Sequence, residues 1–278
     1  MRIDRTRTRR AFAAYVAPYD PKNPLIALKI AHTYRVASLC DRIAHAEGLP
    51  EADVDLAWLC GLLHDVGRFE QVRRWNTFRD SVSTSHALLG CEELFGPRRT
   101  LGEAVVGPDA NTPRIRDFAP DASEDALIRQ AIAVHSDFRI PTTLDERTRT
   151  FANVLRDADK VDILRTVEAD TVETIIGCDA ATLLASPLSP EATRAFDERR
   201  CMLRDERSHP ADFLVSFACF AFELVYPESR AAMLEQGYVF SLLEHPFGID
   251  GAFTDPHTAA EFARMDAELR TWLTRSPR

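Results

Sequence analysis

The sequence predicts an all-α protein, and three observations carry that prediction. Apolar residues recur at helical spacing along most of the 278 residues. Strand-like alternation is scarce. Proline, glycine and short polar caps fall where helices should begin and end.

In chain order, Leu28, His32, Val36, Leu39 and Ile43 lie at steps of three or four, one face of a helix. Asp53 to Asp65 is apolar nearly all round, as a buried helix should be, and Gly67 is placed to be its left-handed C-terminal cap. Ser81 to Phe95 gives the next helix, stopped by Gly96-Pro97. Asp80, Ser81, Ser83 and Thr84 are its capping residues. Pro97 to Pro120 reads as a long loop or partly ordered insertion. Asp121-x-x-Glu124 resembles a capping box for a helix to about Asp137, and Thr143-x-x-Glu146 opens one through Leu164. Ser189-Pro190-Glu191 starts another, with proline at the first helical position, and the remainder suggests three or four more. No repeat, low-complexity tract or linker divides the chain, so one domain is expected over residues 1–278.

The net charge of -9 argues against general binding of nucleic acid or of an anionic membrane. Six cysteines form no C-x-x-C pair, and most sit among apolar neighbours as small core residues. The first residues lack the apolar core of a signal peptide, and the longest apolar stretch, Phe213 to Tyr226, is too short to span a bilayer. The expected location is the cytoplasm. The Phe213–Tyr226 run reads as core or a subunit interface, which leaves a homo-oligomer open.

Histidines and aspartates fall where the core should be. His32 is on the apolar stripe of its helix, and His64 and Asp65 end the buried one. His86 shares a face with Val82 and Leu89, His135 with Ile128 and Ile132, and Asp159 with Ala152, Leu155 and Ile163. A lone histidine on such a face is usually a hydrogen-bonded core residue. Five helices that all aim ionisable groups inward suggest one shared purpose, since a buried charge is costly unless paired or bound to metal. Neutral imidazole and carboxylate are metal ligands.

These residues carry a resemblance. The order His32, His64-Asp65, Asp159 resembles the signature of the HD-domain superfamily of metal-dependent phosphohydrolases. "RDADKVDIL", residues 156–164, is similar to its last motif, and "LLHDVGRFEQVRRWNTFRDSVSTSHALLG" is similar to a common bacterial HD type. The resemblance covers about residues 25–165, the expected HD core, with a helical extension over about 166–278. It implies a metal held by His32, His64, Asp65 and Asp159. His86 and His135 match, in order, the two extra histidines of the two-metal subgroup, in which Asp65 would bridge both ions. Arg68 stands where cyclic-dinucleotide HD enzymes of the best-known type carry lysine. Their Gly-Tyr-Pro motif and the Glu-Asp pair of the alarmone hydrolases are absent.

The expected activity is hydrolysis of a small, nucleotide-like phosphate ester by a metal-activated water. One or two divalent transition ions would serve, with iron, manganese, zinc and nickel not distinguished. Asp65, Arg68 and Lys160 are the expected catalytic residues, and Arg68, Arg79, Arg139 and Lys160 the expected substrate contacts. Arg73 and Arg74 read as a solvated surface. Trp75 and Phe78 read as core or lid packing. A di-iron oxygenase uses the same ligand set, and a nucleotide-binding sensor on a degenerate HD scaffold is a third reading.

Overall fold

The computed structural model describes residues 1–107 and 109–274, and it is helical, as predicted. The chain divides into two compact units, Met1–Asp159 and the residues from Lys160 on.

The first unit opens with α1 (Arg5–Val16), which the sequence reading did not anticipate. Asp4 caps it by accepting from the Arg7 amide at 3.0 Å. α1 turns Phe12, Tyr15 and Tyr19, just beyond it, onto Phe69, with ring centroids 6.0, 5.8 and 5.5 Å away. α2 (Pro24–Ala46) starts at an Asn23 cap with proline in its first turn. α3 (Glu51–Leu63) packs along it, and every residue from Leu56 to Leu63 is buried.

Gly61 sets the distance between those two helices. A Cβ there would come within 2.8 Å of the Ala37 Cα, so only glycine lets the α2 and α3 backbones approach this closely.

α3 does not end in a glycine cap. Asp65 takes φ -108° and ψ 16°, and α4 (Val66–Trp75) begins at once. Gly67 lies inside α4 with ordinary helical backbone, which corrects the expected left-handed cap. Glycine is needed there for space: a Cβ would meet the His86 carbonyl oxygen at 2.2 Å and the Gly90 nitrogen at 2.5 Å. The left-handed cap is Asn76, at φ 47°, which closes α4 instead.

A single 3-10 turn (Asp80–Val82) precedes α5 (His86–Phe95). The helix expected from Ser81 therefore starts five residues later, and Ser85 is its cap, accepting from the Leu88 amide. Val82 is exposed and shares no face with His86. The following insertion carries a short antiparallel hairpin, β1 (Arg99–Thr100) and β2 (Glu103–Ala104), then α6 (Ile115–Phe118). α7 (Asp125–Val134) starts after Glu124 without a side-chain cap, because Asp121 turns instead to the Ser123 amide and hydroxyl. α8 (Glu146–Glu168) starts after Asp145, whose carboxylate accepts from the Thr148 amide and hydroxyl.

The second unit contains α9 (Val172–Ile175), α10 (Ala180–Leu184), α11 (Pro190–Asp197), α12 (Pro210–Ala218), α13 (Pro227–Gln236), α14 (Tyr238–Glu244) and α15 (Pro256–Thr274). Ser189 caps α11 with Pro190 at its first position, as the sequence indicated. The buried Asp212 carboxylate ties the start of α12 back to that cap by accepting from the Ser189, Ser208 and His209 amides. Among the described residues no helix is long and apolar enough to cross a membrane.

Candidate metal centre

Six helices, α2 to α5, α7 and α8, carry the predicted ligands and bring them together. His32 lies in the middle of α2. His64 and Asp65 form the corner between α3 and α4, His86 is the first residue of α5, His135 caps the C-terminal end of α7, and Asp159 projects from α8. The close α2–α3 contact at Gly61 and the α4–α5 contact at Gly67 fix the spacing of the first four. His64 and His135 stand at helix C-termini, where the backbone dipole favours a nearby cation.

Asp65 organises the cluster. Its Oδ2 is 3.4 Å from His64 Nε2 and 3.7 Å from His32 Nε2. Its Oδ1 is 3.5 Å from His86 Nε2 and 3.9 Å from His135 Nε2. Asp159 Oδ1 lies on the Oδ2 side, 3.1 Å from His32 Nε2 and 3.7 Å from His64 Nε2. Each oxygen of one carboxylate therefore faces its own pair of histidines.

The outer ring nitrogens fix the orientation of three imidazoles. His64 Nδ1 is 2.7 Å from the Gly61 carbonyl, and His135 Nδ1 is 2.7 Å from that of Ile132. A carbonyl can only accept, so both Nδ1 atoms carry hydrogen and both Nε2 atoms of the neutral rings present lone pairs to the cluster. His86 Nδ1 donates in the same way to Asp80 Oδ2 at 2.7 Å. His86 Nε2 then faces His135 Nε2 at 3.1 Å, an approach that needs a proton or a cation between the two nitrogens. His64 Nε2 is buried and has no hydrogen-bond partner.

Burial alone would raise the Asp65 carboxyl, but Lys29, His64 and Arg68 hold it well below the usual carboxylate range. Asp159 is likewise held low, against burial, by His32 and His64. Burial pushes His135 down to about 3, with His86 and His64 adding to the effect. Burial also lowers His86, whereas the Asp65 charge raises His64 against its burial. The cluster thus keeps its carboxylates ionised and favours the neutral ring at His86 and His135, the protonation a metal requires of those ligands.

These residues fit a metal. Donor atoms of His32, His64 and Asp159 lie within 4.8 Å of one another, as do those of His64, Asp65 and His135. Nitrogen and carboxylate donors of this kind suit a divalent transition ion.

The expected substrate contacts are placed differently. Arg68 Nη1 donates to Gln71 Oε1, the Phe78 carbonyl and Asp80 Oδ1 at 2.6, 2.7 and 2.9 Å. It braces the 76–85 segment that delivers Asp80 to His86, with its Nε 3.5 Å from Asp65 Oδ1. Lys160 belongs to the second unit, and there its ammonium pairs with Glu223. Arg79 and Arg139 are exposed. Arg73 and Arg74 both bind the fully buried Glu70 carboxylate, and Tyr19 donates to it at 2.8 Å.

Two residues of the site escaped the sequence reading. Asp80 looked like a helix cap and is the acceptor for His86. Lys29 is 5% exposed, and its Nζ is 2.5 Å from Asp65 Oδ2. The signal for Lys29 was its place on the apolar face of α2, one turn before His32. That face buries Ile26, Lys29, His32 and Val36, whereas Leu28 is only partly covered.

Residues 30–164 match the family model for the HD domain. No curated protein and no solved structure matches the chain. The matched stretch contains His32, His64, Asp65, His86, His135 and Asp159. The protein therefore carries an HD domain, the module of a superfamily of metal-dependent phosphohydrolases.

Proposed function

We propose that this protein hydrolyses a small, nucleotide-like phosphate ester at a centre of two divalent transition ions. The observation that supports it best is the division of Asp65. Its Oδ2 faces His32 and His64, its Oδ1 faces His86 and His135, and a carboxylate so placed is suited to bridge two ions.

His32, His64, Asp65 and Asp159 would hold the first ion, and Asp65, His86 and His135 the second. When bound, such ions lower the pKa of water and draw charge from phosphoryl oxygens. The chain's own groups do the rest. Gly61 and Ile132 carbonyls and the Asp80 carboxylate hold three imidazoles with their lone pairs inward. Arg68 locks the segment that carries Asp80. The low-lying Asp65 and Asp159 carboxylates stay ionised and do not compete for the proton released by the attacking water. In the overall reaction a water oxygen forms the new P–O bond, the ester P–O bond breaks, and the leaving alcohol takes up a proton. Arg79 and Arg139 remain proposed contacts to the phosphoryl oxygens of the substrate.

The test is to load the purified protein separately with manganese, zinc, nickel or iron. Metal content is then measured together with hydrolysis, read as phosphate release from phosphomonoesters and nucleotides and as ring opening of cyclic nucleotides. Hydrolysis with zinc, which has no redox chemistry, supports the reading. Turnover confined to iron and accompanied by oxygen uptake would replace it with the oxygenase. Nucleotide binding with neither metal nor turnover would replace it with the sensor.

A further inference from the structure

Lys29 precedes the matched stretch by one residue, and neither the family match nor the sequence motifs give it a role. A buried ammonium must have an anionic partner or it destabilises its surroundings. Lys29 has its side chain 6% exposed, and the carboxylate it meets is Asp65, at 2.5 Å from Oδ2. Its ammonium also lies 5.3 Å from the centroid of the Phe78 ring. Oδ2 is also the oxygen turned toward His32 and His64. An ion held by those histidines would need that oxygen. Lys29 and a divalent ion would then share one atom, and two positive centres so close together repel strongly in a buried site.

The charges around the centre point the same way. Asp65, Asp159 and the nearby Asp80 are the anions, Lys29 and Arg68 the cations, and the four histidines bind metal as neutral rings. A single divalent ion already leaves the centre positive, and a second increases the surplus. An anion of double charge with several oxygens resolves both problems: one oxygen can meet the metal while another takes the ammonium that Asp65 gives up.

We infer that Lys29 couples anion binding to metal binding at this centre: its ammonium partners Asp65 until a phosphate-type dianion takes it over. The inference rests on the phosphohydrolase reading and adds a residue, a ligand charge and a thermodynamic linkage to it. Because linkage is reciprocal, phosphate strengthens metal binding by the same factor that metal strengthens phosphate binding.

The experiment measures manganese affinity by calorimetry, with and without saturating orthophosphate, in the full-length protein and two variants. Lys29→Met keeps the length and burial of the stem and removes the charge. Lys29→Arg keeps the charge. In the unaltered protein, phosphate should tighten manganese binding by on the order of tenfold, within the usual range of such couplings. Lys29→Met should bind manganese at least as tightly as the unaltered protein does without phosphate, and the phosphate effect should shrink several-fold, to what the contact between phosphate and metal supplies by itself. Lys29→Arg should retain the full effect. A folded Lys29→Met protein that keeps the full phosphate effect overturns the inference, as does one that cannot bind manganese, which would make Lys29 a support for Asp65. The unaltered protein can overturn the inference even if neither variant folds. If it hydrolyses phosphate esters but shows no linkage between manganese and phosphate, the inference alone fails. If it neither binds phosphate nor hydrolyses any ester, the phosphohydrolase reading fails with it.

Discussion

Asp80 Oδ2 accepts a hydrogen bond from His86 Nδ1 at 2.7 Å, while its other oxygen receives Arg68 and Gln71, each at 2.9 Å. Both oxygens must therefore accept. An asparagine has one accepting oxygen and an amide that only donates, so Asp80→Asn must set its amide against either His86 or the Arg68–Gln71 pair. The first choice forces the hydrogen of His86 onto Nε2 and removes a metal ligand. Losing an outer partner of this kind typically costs about 10–100-fold in metal affinity. Titration of Asp80→Asn with manganese should show one weakened ion and one retained. Two ions bound as tightly as in the unaltered protein would separate Asp80 from the metal.

Asp65→Ala should lose both ions and activity together, because its two oxygens serve the two histidine pairs. Metal content per chain, measured after dialysis, checks this. Full occupancy in the variant would contradict the proposed bridging role.

Gly67→Ala tests the contact between α4 and α5. The new methyl would meet backbone, the His86 carbonyl oxygen at 2.2 Å and the Gly90 nitrogen at 2.5 Å, so no side chain can swing away. Overpacking of this kind costs about 1–3 kcal/mol. Thermal denaturation should show a lower Tm. Metal binding should weaken as well, because the displaced helix begins at His86. An unchanged Tm would mean that the two helices separate freely.

Glu93 is buried, and burial together with the Glu70 charge raises its carboxyl above the ordinary glutamate value. The folded state thus holds this proton more tightly than the unfolded chain does. The resulting stability is present below the unfolded value and is lost as pH rises through the folded one. Glu93→Gln should therefore raise Tm at neutral and mildly alkaline pH and give a smaller gain, or none, below the unfolded glutamate range. A gain that is the same at every pH would contradict the assignment.

We also propose that residues 1–278 form one domain, with the HD core over about 25–165 and the helical extension over about 166–278. Limited proteolysis should cut first between Pro97 and Pro120, where Val106 is 94% exposed. A clean cut near residues 186–190 that releases two stable halves would refute the single domain.

Helices and their inward histidines were legible in the sequence because spacing along one helix decides which face a side chain occupies. His32, His64, Asp65, His86, His135 and Asp159 could be singled out from that periodicity and from motif order. Gly67, Asp80 and Lys29 could not be read correctly, because each depends on a neighbour distant in sequence. Gly67 looked like a cap because it follows an apolar helix, yet its requirement comes from the backbone of His86 and Gly90 across the helix contact. Asp80 looked like a cap because it precedes a helix, and only the path of the 76–85 segment turns it toward His86. No sequence motif singled out Lys29, and only the packing of α2 against the α3–α4 corner buries it beside Asp65. Local spacing determines the elements and the direction of each side chain. The tertiary structure decides which charges meet, because a buried charge is defined by the partner that offsets its desolvation, and that partner lies on another helix.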